Sequence, residues 1–448
     1  MSAHIVIIND LSEPMGGASL LALKSAIEFA DRGHRVTFVT GDDGSDLLRD
    51  AGVEIVALGQ QRLLAAGVAK SAVRGLYNPG ARKMLERWIQ ANDNGRAVYH
   101  LHGWAQILSP SIFVPLRKVA DRLIMSAHDF FVTCPNGAMY DFKRQKHCEL
   151  KPMSTQCVMR NCDRRSYLQK GWRLARHSVL AQTRPGFDEF PPLMLIHKSM
   201  ADYFAKGGVE ARDMFVLPNP ITPFCNSRVP AETNKAALFV GRIECTKGID
   251  RAAEACRRAG IPLIAIGTGE LLSRLRETYP EHQWLGWKPA ESIGAYAAQA
   301  RMLLMPSTAI EPFGLTAVEG LWSGLPVVFS DRALLAGEIK QAGAGAGVDP
   351  YDIDGFAALL KSWTGNDPLV RGLSINAIEG TRGLALSWNA WIERLQESYE
   401  AILRGGKSEL AKLYDTEDSE VAPITYRTSK PLREAAFRSN TDLSNAAG

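Results

Sequence analysis

A chain of 448 residues, 46% of them hydrophobic, carries more apolar material than one core absorbs, since single cores stop growing near roughly 250–300 residues; two domains are expected. The 52 Lys and Arg against 48 Asp and Glu leave a formal charge of +4, too small at this size to support nucleic-acid binding. Seven cysteines in this length argue against a disulfide scaffold, and neither a signal peptide nor an apolar run of about eighteen residues is evident, so a reducing, cytoplasmic setting is expected.

In chain order, HIVIIND reads as a buried first strand, followed by a glycine turn and a helix over roughly 19–30 with Leu20, Leu23, Ile27 and Ala30 at helical spacing. RGHRVTFVT and VEIVALG supply a second and third strand, and AVYHLHG, RLIMSAHDF and SVLAQT read as later strands of the same layer. Strand–helix–strand alternation of this kind builds a parallel sheet covered on both faces. A polar, cysteine-bearing insertion over 130–170 interrupts it. The alternation restarts at AALFVGR and continues through a helix at RAAEACRRAG, IPLIAIG, EHQWLGW, RMLLMPS, a helix at LTAVEGLWSG and PVVFS. Three prolines in VLPNPITPF mark the linker. The expected division is 1–215, 216–385, a terminal amphipathic helix over 386–405 with Trp391, Ile392, Leu395, Tyr399 and Ile402, and a disordered or surface-docked tail over 406–448.

The chemistry-bearing stretches fall at strand ends. Gly16 and Gly17 follow the first strand, where small residues let a ligand approach backbone amides; a plain tight turn is the competing reading. The run lacks the Gly-x-Gly-x-x-Gly dinucleotide pattern, and no Walker motif is present. Gly241 and Arg242 end a strand, with Lys247 five positions on; the two cations suit a diphosphate whose charge develops on leaving, or are simply surface charges. Gly269 lies in IAIGTGE, another strand entering a glycine turn. Trp287 follows it in WLGWKP, bordering a flat base or capping a core as Trp284 does. In EPFGLTAVEG, Glu311 sits in a loop before a helix that starts near Leu315, and Glu319 sits within that helix. The amides around Phe313, Gly314 and Leu315 are then placed for an anion, with the two glutamates free for sugar and ribose hydroxyls. His100 and His102 share one face of a strand and read as a core pair, an acceptor-facing pair, or one of each.

Taken in order, Met15-Gly16-Gly17, HLHG, SAHDF, LPNPI, FVGRIECTKG, AIGTGE, WLGW and EPFGLTAVEG resemble retaining, nucleotide-sugar-dependent glycosyltransferases of the two-domain GT-B type, family 4 (glycosyl transferases group 1), across about residues 4–402. The resemblance implies an α/β fold of two Rossmann-like parallel-sheet domains facing a central cleft. It implies that Gly16 and Gly17 face the donor, that Arg242 and Lys247 hold its diphosphate, that Glu311 binds the sugar and Glu319 the ribose. It places His128 near the reacting centre and Asn219 at the cleft; Gly241 is expected to bind the donor, and His102 is an acceptor-side candidate from its place on the strand. The implied activity is glycosyl transfer to an acceptor hydroxyl in polysaccharide, lipopolysaccharide or glycoconjugate synthesis, through a front-side substitution. No organic cofactor and no obligatory divalent metal are expected, the nucleotide sugar being a substrate. A non-catalytic sugar-nucleotide-binding protein, and a GT-B-like epimerase or phosphorylase, are the alternatives.

Cys134, Cys148, Cys157 and Cys162 are spaced 14, 9 and 5 positions apart. A structural zinc site, unligated thiols, and disulfide or redox use are the three readings. The insertion's Lys143, Arg144, Lys146, Arg160, Arg164 and Arg165 suit an acceptor-side lid. Arg62, Lys70, Arg74, Arg82, Lys83 and Arg87 form a second basic segment, read as peripheral contact with the cytoplasmic face of a membrane bearing a lipid-linked glycan, or as a solvated helix face. Expected partners are thus a nucleotide-sugar donor and a glycan or lipid-linked acceptor, without nucleic acid; the sequence does not specify the oligomeric state.

Overall fold

A computed structural model describes residues 3–62, 68–184 and 190–414. The first domain holds β1 (His4–Asn9), β2 (Arg35–Thr40), β3 (Glu54–Ala57), β4 (Ala97–Leu101), β5 (Leu123–Ala127), the small hairpin strands β6 (Tyr140–Asp141) and β7 (Lys146–His147), then β8 (Leu193–Leu195) and β9 (Met214–Val216). Apart from the β6–β7 hairpin, these form a seven-stranded parallel sheet in the order β3-β2-β1-β4-β5-β8-β9. The second domain holds β10 (Ala236–Val240), β11 (Leu263–Ile266), β12 (Gln283–Trp284), β13 (Ala300–Met305), β14 (Val327–Ser330) and β15 (Gly345–Val348), a parallel sheet ordered β12-β11-β10-β13-β14-β15. Their near-continuous apolar runs follow from burial on both faces: β13 is buried along its whole length, and β1 at every residue after His4.

Each sheet changes winding direction at one point, between β1 and β4 in the first and between β10 and β13 in the second. Ligands of open α/β sheets bind outside the strands' carboxyl ends at such points. Gly16-Gly17 and His102 follow β1 and β4, and Arg242 and Glu311 follow β10 and β13, so topology alone brings the motifs to the two lips of one cleft.

Three expectations change. SVLAQT is not a strand; it ends the helix Tyr167–Thr183, whose Leu180 and Thr183 face inward, and the next strand is LML of β8. Six residues rich in β-formers do not reveal which period they belong to when a long helix precedes them. The boundary at 215 and 216 cuts β9, which ends at Val216. The terminal helix does not stop near 405 but runs from Trp388 to Tyr414, broken in its dihedrals at Gly405 and Gly406. Beyond the break Leu410 is buried, Tyr414 packs on Phe215, and Lys407 binds Asp213 and the Phe190 carbonyl. The rest of the predicted tail, 415–448, and positions 63–67 of the basic segment lie outside the described residues.

The terminal helix joins the first domain's core, where Trp391, Ile392, Leu395, Tyr399 and Ile402 pack with Ile5, Ile7, Phe29 and Phe38. The Tyr399 hydroxyl lies 2.6 Å from His100 Nδ1. Leaving the second domain, the chain passes Leu386, which pairs with Pro220 of the linker, so the two interdomain connections run side by side.

Candidate functional site

The site begins with two helix starts. The helix Gly17–Asp31 rises directly from the turn after β1, and the helix Leu315–Trp322 from the loop after β13. Neither carries an acidic residue in its first turn. A Cβ on Gly17 would stand 2.9 Å from Leu315 Cδ1, so the two starts meet across the cleft and a larger residue there would make the tip of the Leu315 side chain shift. Amides of a first helical turn have no carbonyl of their own helix to meet, and the helix dipole adds partial positive charge there. Two such ends turned on one place form an anion site before any side chain is counted.

Cations and carboxylates complete it. Gly248 adopts φ +69° as it starts the next helix, and a Cβ there would fall 1.9 Å from the Pro306 carbonyl. This contact locks the Lys247 loop onto the strand end that carries Glu311. Lys247 Nζ donates to Glu311 Oε2 at 2.5 Å, and Ser307 Oγ to the same oxygen at 3.1 Å. Burial pushes the Glu311 carboxyl up, but the Lys247 ammonium, Ser307 and the Arg242 charge outweigh it and hold its pKa below the ordinary value. Arg242 is exposed and braced by Glu244 at 3.0 Å. Gly267 and Gly269 pack their backbones against the carbonyls of Gly241 and Ile243, where a Cβ would reach within 1.8 and 2.4 Å. Gly269 therefore shapes the Arg242 loop by close backbone approach. Trp284 is buried with its Nε1 on the Tyr279 carbonyl, whereas Trp287 is exposed beyond it. The Phe313 side chain is buried and Gly314 has φ +75°, so this stretch offers the cleft its backbone.

Glu319, one turn into its helix, faces Lys24 of the first domain, and Lys24 Nζ lies 4.0 Å over the Trp388 ring. Burial raises the Glu319 pKa to about 7, with Lys24 opposing. Lys24 was missed from sequence because a single lysine on an amphipathic helix carries no signal of a partner about 295 positions away.

On the first domain's lip, three imidazoles stack. His100 lies 2.8 Å from Ser126 Oγ, its ring is 4.0 Å from that of His102, and His102 Nδ1 is 3.1 Å from His128 Nε2. Burial, reinforced by neighbouring imidazoles for the inner two, lowers His100 to about 3, His128 to about 4, and His102 well below its usual value. All three are neutral at physiological pH. His102, an acceptor-side candidate or a core residue from sequence, is buried with the ring of His128 stacked against it. Asn219 is likewise buried, at the crossing of the linker with Leu386.

Sequence reasoning also passed over Asp10, Asp129 and Arg176. Asp10 accepts the backbone amides of Gln106, Ile107 and Leu108 at 2.7–2.8 Å and so holds the loop after β4. Asp129, next to His128, is exposed and accepts the Phe131 amide at 2.9 Å. Arg176 is buried among Phe131, Trp172 and Trp104, with Nη1 on the Ala105 carbonyl at 3.0 Å. These residues lie together on the first domain's lip, and a fold, not a motif, assembles them.

The zinc expectation does not fit. Among the described residues no group of three or more His, Cys, Asp or Glu side chains is placed to hold a metal ion, and all seven cysteines are free. Lys170 Nζ stands between Cys157 and Cys162, and Asn136 between Cys134 and Cys162, so protein groups fill the places a tetrahedral ion needs.

Comparisons with known proteins agree with this geometry. Residues 225–380 match the family of glycosyl transferases group 1. A D-inositol 3-phosphate glycosyltransferase of Segniliparus rotundus is 30% identical over 194 residues, which covers 39% of this chain and 41% of that relative, less than half its length. Sucrose-phosphate synthase from Thermosynechococcus elongatus superposes with TM-score 0.64 at 16% identity, covering 90% of this chain and 99% of that one. Anabaena HepE, solved in complex with UDP, gives TM-score 0.62 at 15% identity over 89% and 100%. The fold is that of GT-B proteins: two parallel-sheet Rossmann-like domains flanking a cleft.

The shifted Glu319 carboxyl has a signed consequence. Folding takes up a proton there between the ordinary 4.5 and about 7, so this contribution to stability is full below 4.5 and lost as pH rises through about 7. Glu319→Gln is expected to flatten the unfolding free energy across that window, measured by denaturant titration at several pH values. A profile parallel to the parent's contradicts the assignment.

Proposed function

We propose that this GT-B protein, whose second domain matches the group 1 glycosyl transferases, moves a sugar from a nucleoside diphosphate donor to an acceptor hydroxyl with retention at the anomeric carbon. The observation that carries the reading is the meeting of two acid-free helix starts beside Arg242 and Lys247, with Glu311 held at the same place. Such a site takes a diphosphate. The UDP bound by HepE supports a nucleoside diphosphate as the ligand class.

In this mechanism the diphosphate competes with Glu311 for the Lys247 ammonium and frees a carboxylate oxygen for the sugar's hydroxyls. Arg242 and Lys247 then stabilise the charge that grows on the leaving diphosphate. Glu319 accepts from the ribose, and Trp287 borders the base. The acceptor hydroxyl attacks the anomeric carbon from the face the diphosphate leaves, and its proton passes to a departing phosphate oxygen. Neutral His128 serves as a hydrogen-bonding group at the sugar, not as a cation. Domain closure and the paired helix starts supply orientation.

Arg242→Ala and Lys247→Ala are each expected to lower turnover of a nucleotide-sugar donor, read as released nucleoside diphosphate with a panel of acceptors, by roughly 10–100-fold, the scale of one lost charge-assisted contact. Unchanged turnover in both variants, or no donor turned over by the parent, contradicts the reading.

The acceptor class follows from the surface beside the cleft. No described helix is long and apolar enough to cross a membrane. Yet Val158, Met159, Tyr167 and Leu168 project from the insertion, Met159 at 73% and Leu168 at 85% exposure, and the Tyr167 hydroxyl bonds the Val158 carbonyl at 3.0 Å. Arg160, Arg164 and Arg165 lie in the segment between the two pairs. Exposed apolar residues with arginines in the segment between them suit shallow insertion into an anionic membrane, and a lipid-linked glycan on its cytoplasmic face is the acceptor such a position serves. Co-sedimentation with anionic phospholipid vesicles is expected, and Met159→Ser with Leu168→Ser is expected to weaken it about 10-fold or more. Equal binding by parent and double variant contradicts this placement.

A further inference from the structure

His102 continues the line of β4, with its backbone amide on the Ile8 carbonyl at 2.8 Å, so the sheet fixes where its ring stands. The residue is 5% exposed, and its Nε2 is buried without a hydrogen-bond partner among the described residues. The neighbouring ring cannot serve it. His100 lies 4.0 Å away between ring centres, but both its nitrogens are committed, Nδ1 to the Tyr399 hydroxyl at 2.6 Å and Nε2 to Ser126 Oγ at 2.8 Å. The other nitrogen of His102, Nδ1, meets His128 Nε2 at 3.1 Å.

A nitrogen–nitrogen hydrogen bond between two neutral imidazoles needs a proton on one side and a lone pair on the other. Burial lowers the pKa of His102 well below its usual value and that of His128 to about 4, which keeps each ring to one proton. Two arrangements remain. In the first, His128 donates from Nε2, and His102 carries its own proton on Nε2, a buried N–H with no acceptor. In the second, His102 donates from Nδ1, its buried Nε2 is bare, and His128 carries its proton on Nδ1. A buried N–H without an acceptor is a rarer defect in folded proteins than an acceptor short of a donor. The second arrangement also moves the unclaimed N–H onto His128, which is half-buried at the carboxyl end of β5, where a ligand can accept from it.

We propose that His102 is a positioning residue whose Nδ1–H donates to His128 Nε2 and thereby compels His128 to present Nδ1–H, a hydrogen-bond donor, to an oxygen of the transferred sugar. The proposal rests on the placement of His128 at the sugar in the transfer proposed above. Without the His102 proton, His128 is free to take either tautomer. The tautomer with a bare Nδ1 then meets the sugar oxygen lone pair against lone pair. The terminal helix supports the arrangement from behind, because the Tyr399 hydroxyl holds the His100 ring that lies beside His102. Phenylalanine at 102 keeps an aromatic ring beside His100 and removes the N–H. Asparagine is smaller but carries an N–H close to the place of Nδ1.

The test labels the histidines of the full-length protein with nitrogen-15 and records long-range proton–nitrogen correlations without donor, the His102→Asn and His128→Gln spectra assigning the two rings. The expected result is a protonated Nδ1 and a bare Nε2 on both rings. A bare Nδ1 on His128 overturns the proposal, and since the spectrum needs no turnover it decides the pairing separately from the reaction. Kinetics test the consequence. His102→Phe is expected to lower kcat with a nucleotide-sugar donor about 10-fold, the scale of one lost hydrogen bond, and to leave His128 as a mixture of tautomers. His102→Asn is expected to recover most of that loss. Full turnover in His102→Phe, or an equal loss in both variants at the parent's melting temperature, overturns the proposal.

Discussion

The cleft depends on two helices that start nose to nose. Gly17 and Leu315 come from different domains and from chain positions nearly 300 residues apart, yet a single methyl group added at Gly17 would press on the tip of the Leu315 side chain. Each helix start offers unpaired amides and partial positive charge, and each has a first turn without an acid to neutralise it. The folding topology makes this meeting cheap: both helices follow strands at the points where their sheets reverse winding, so neither sheet is distorted to reach the other. The terminal helix secures the relation by returning to the first domain and packing Tyr399 onto His100.

Charge is distributed around that meeting point with a division of labour. Lys247 and Glu311 pair closely, which keeps the loop acid ionised in a buried setting. Glu319, with a more distant cation in Lys24, sits at the opposite extreme, its carboxyl raised toward neutrality. Two carboxylates eight positions apart thus have environments that drive them in opposite directions, and neither is placed as one of a matched hydrolytic pair. On the facing lip, burial holds the pKa values of three imidazoles below the ordinary histidine value.

Much of this was legible in sequence. The alternation of apolar strands and amphipathic helices located β1 to β5 and β10 to β14 but not the glycine-rich edge strand β15, and glycine-bearing turns located the loops that Gly248 and Gly314 lock by positive φ. Local patterns failed where period was ambiguous, as at SVLAQT, and where a helix crossed a glycine pair, as at Gly405 and Gly406. The site was legible in its motif residues and opaque in its long-range partners. Lys24, Asp10, Asp129 and Arg176 gain meaning only when distant strands and helices come together. His102 shows the same limit: strand alternation shows which face a side chain takes, but not that the His128 ring will stack against it. The four cysteines suggested a metal because their number matched a tetrahedron; a buried lysine and an asparagine amide stand among them instead.

The central claim is that the leaving diphosphate, held by paired helix starts and two cations, does the work, without a covalent intermediate on the protein. The measurement that tests it most directly is the anomeric configuration of the product formed from an α-linked nucleotide sugar, followed by proton NMR from the first turnovers. The account predicts an α-linked product and no glycosylated protein by intact mass. A β-linked product, or a trapped glycosyl–protein adduct on Glu311 or any other residue, would contradict it.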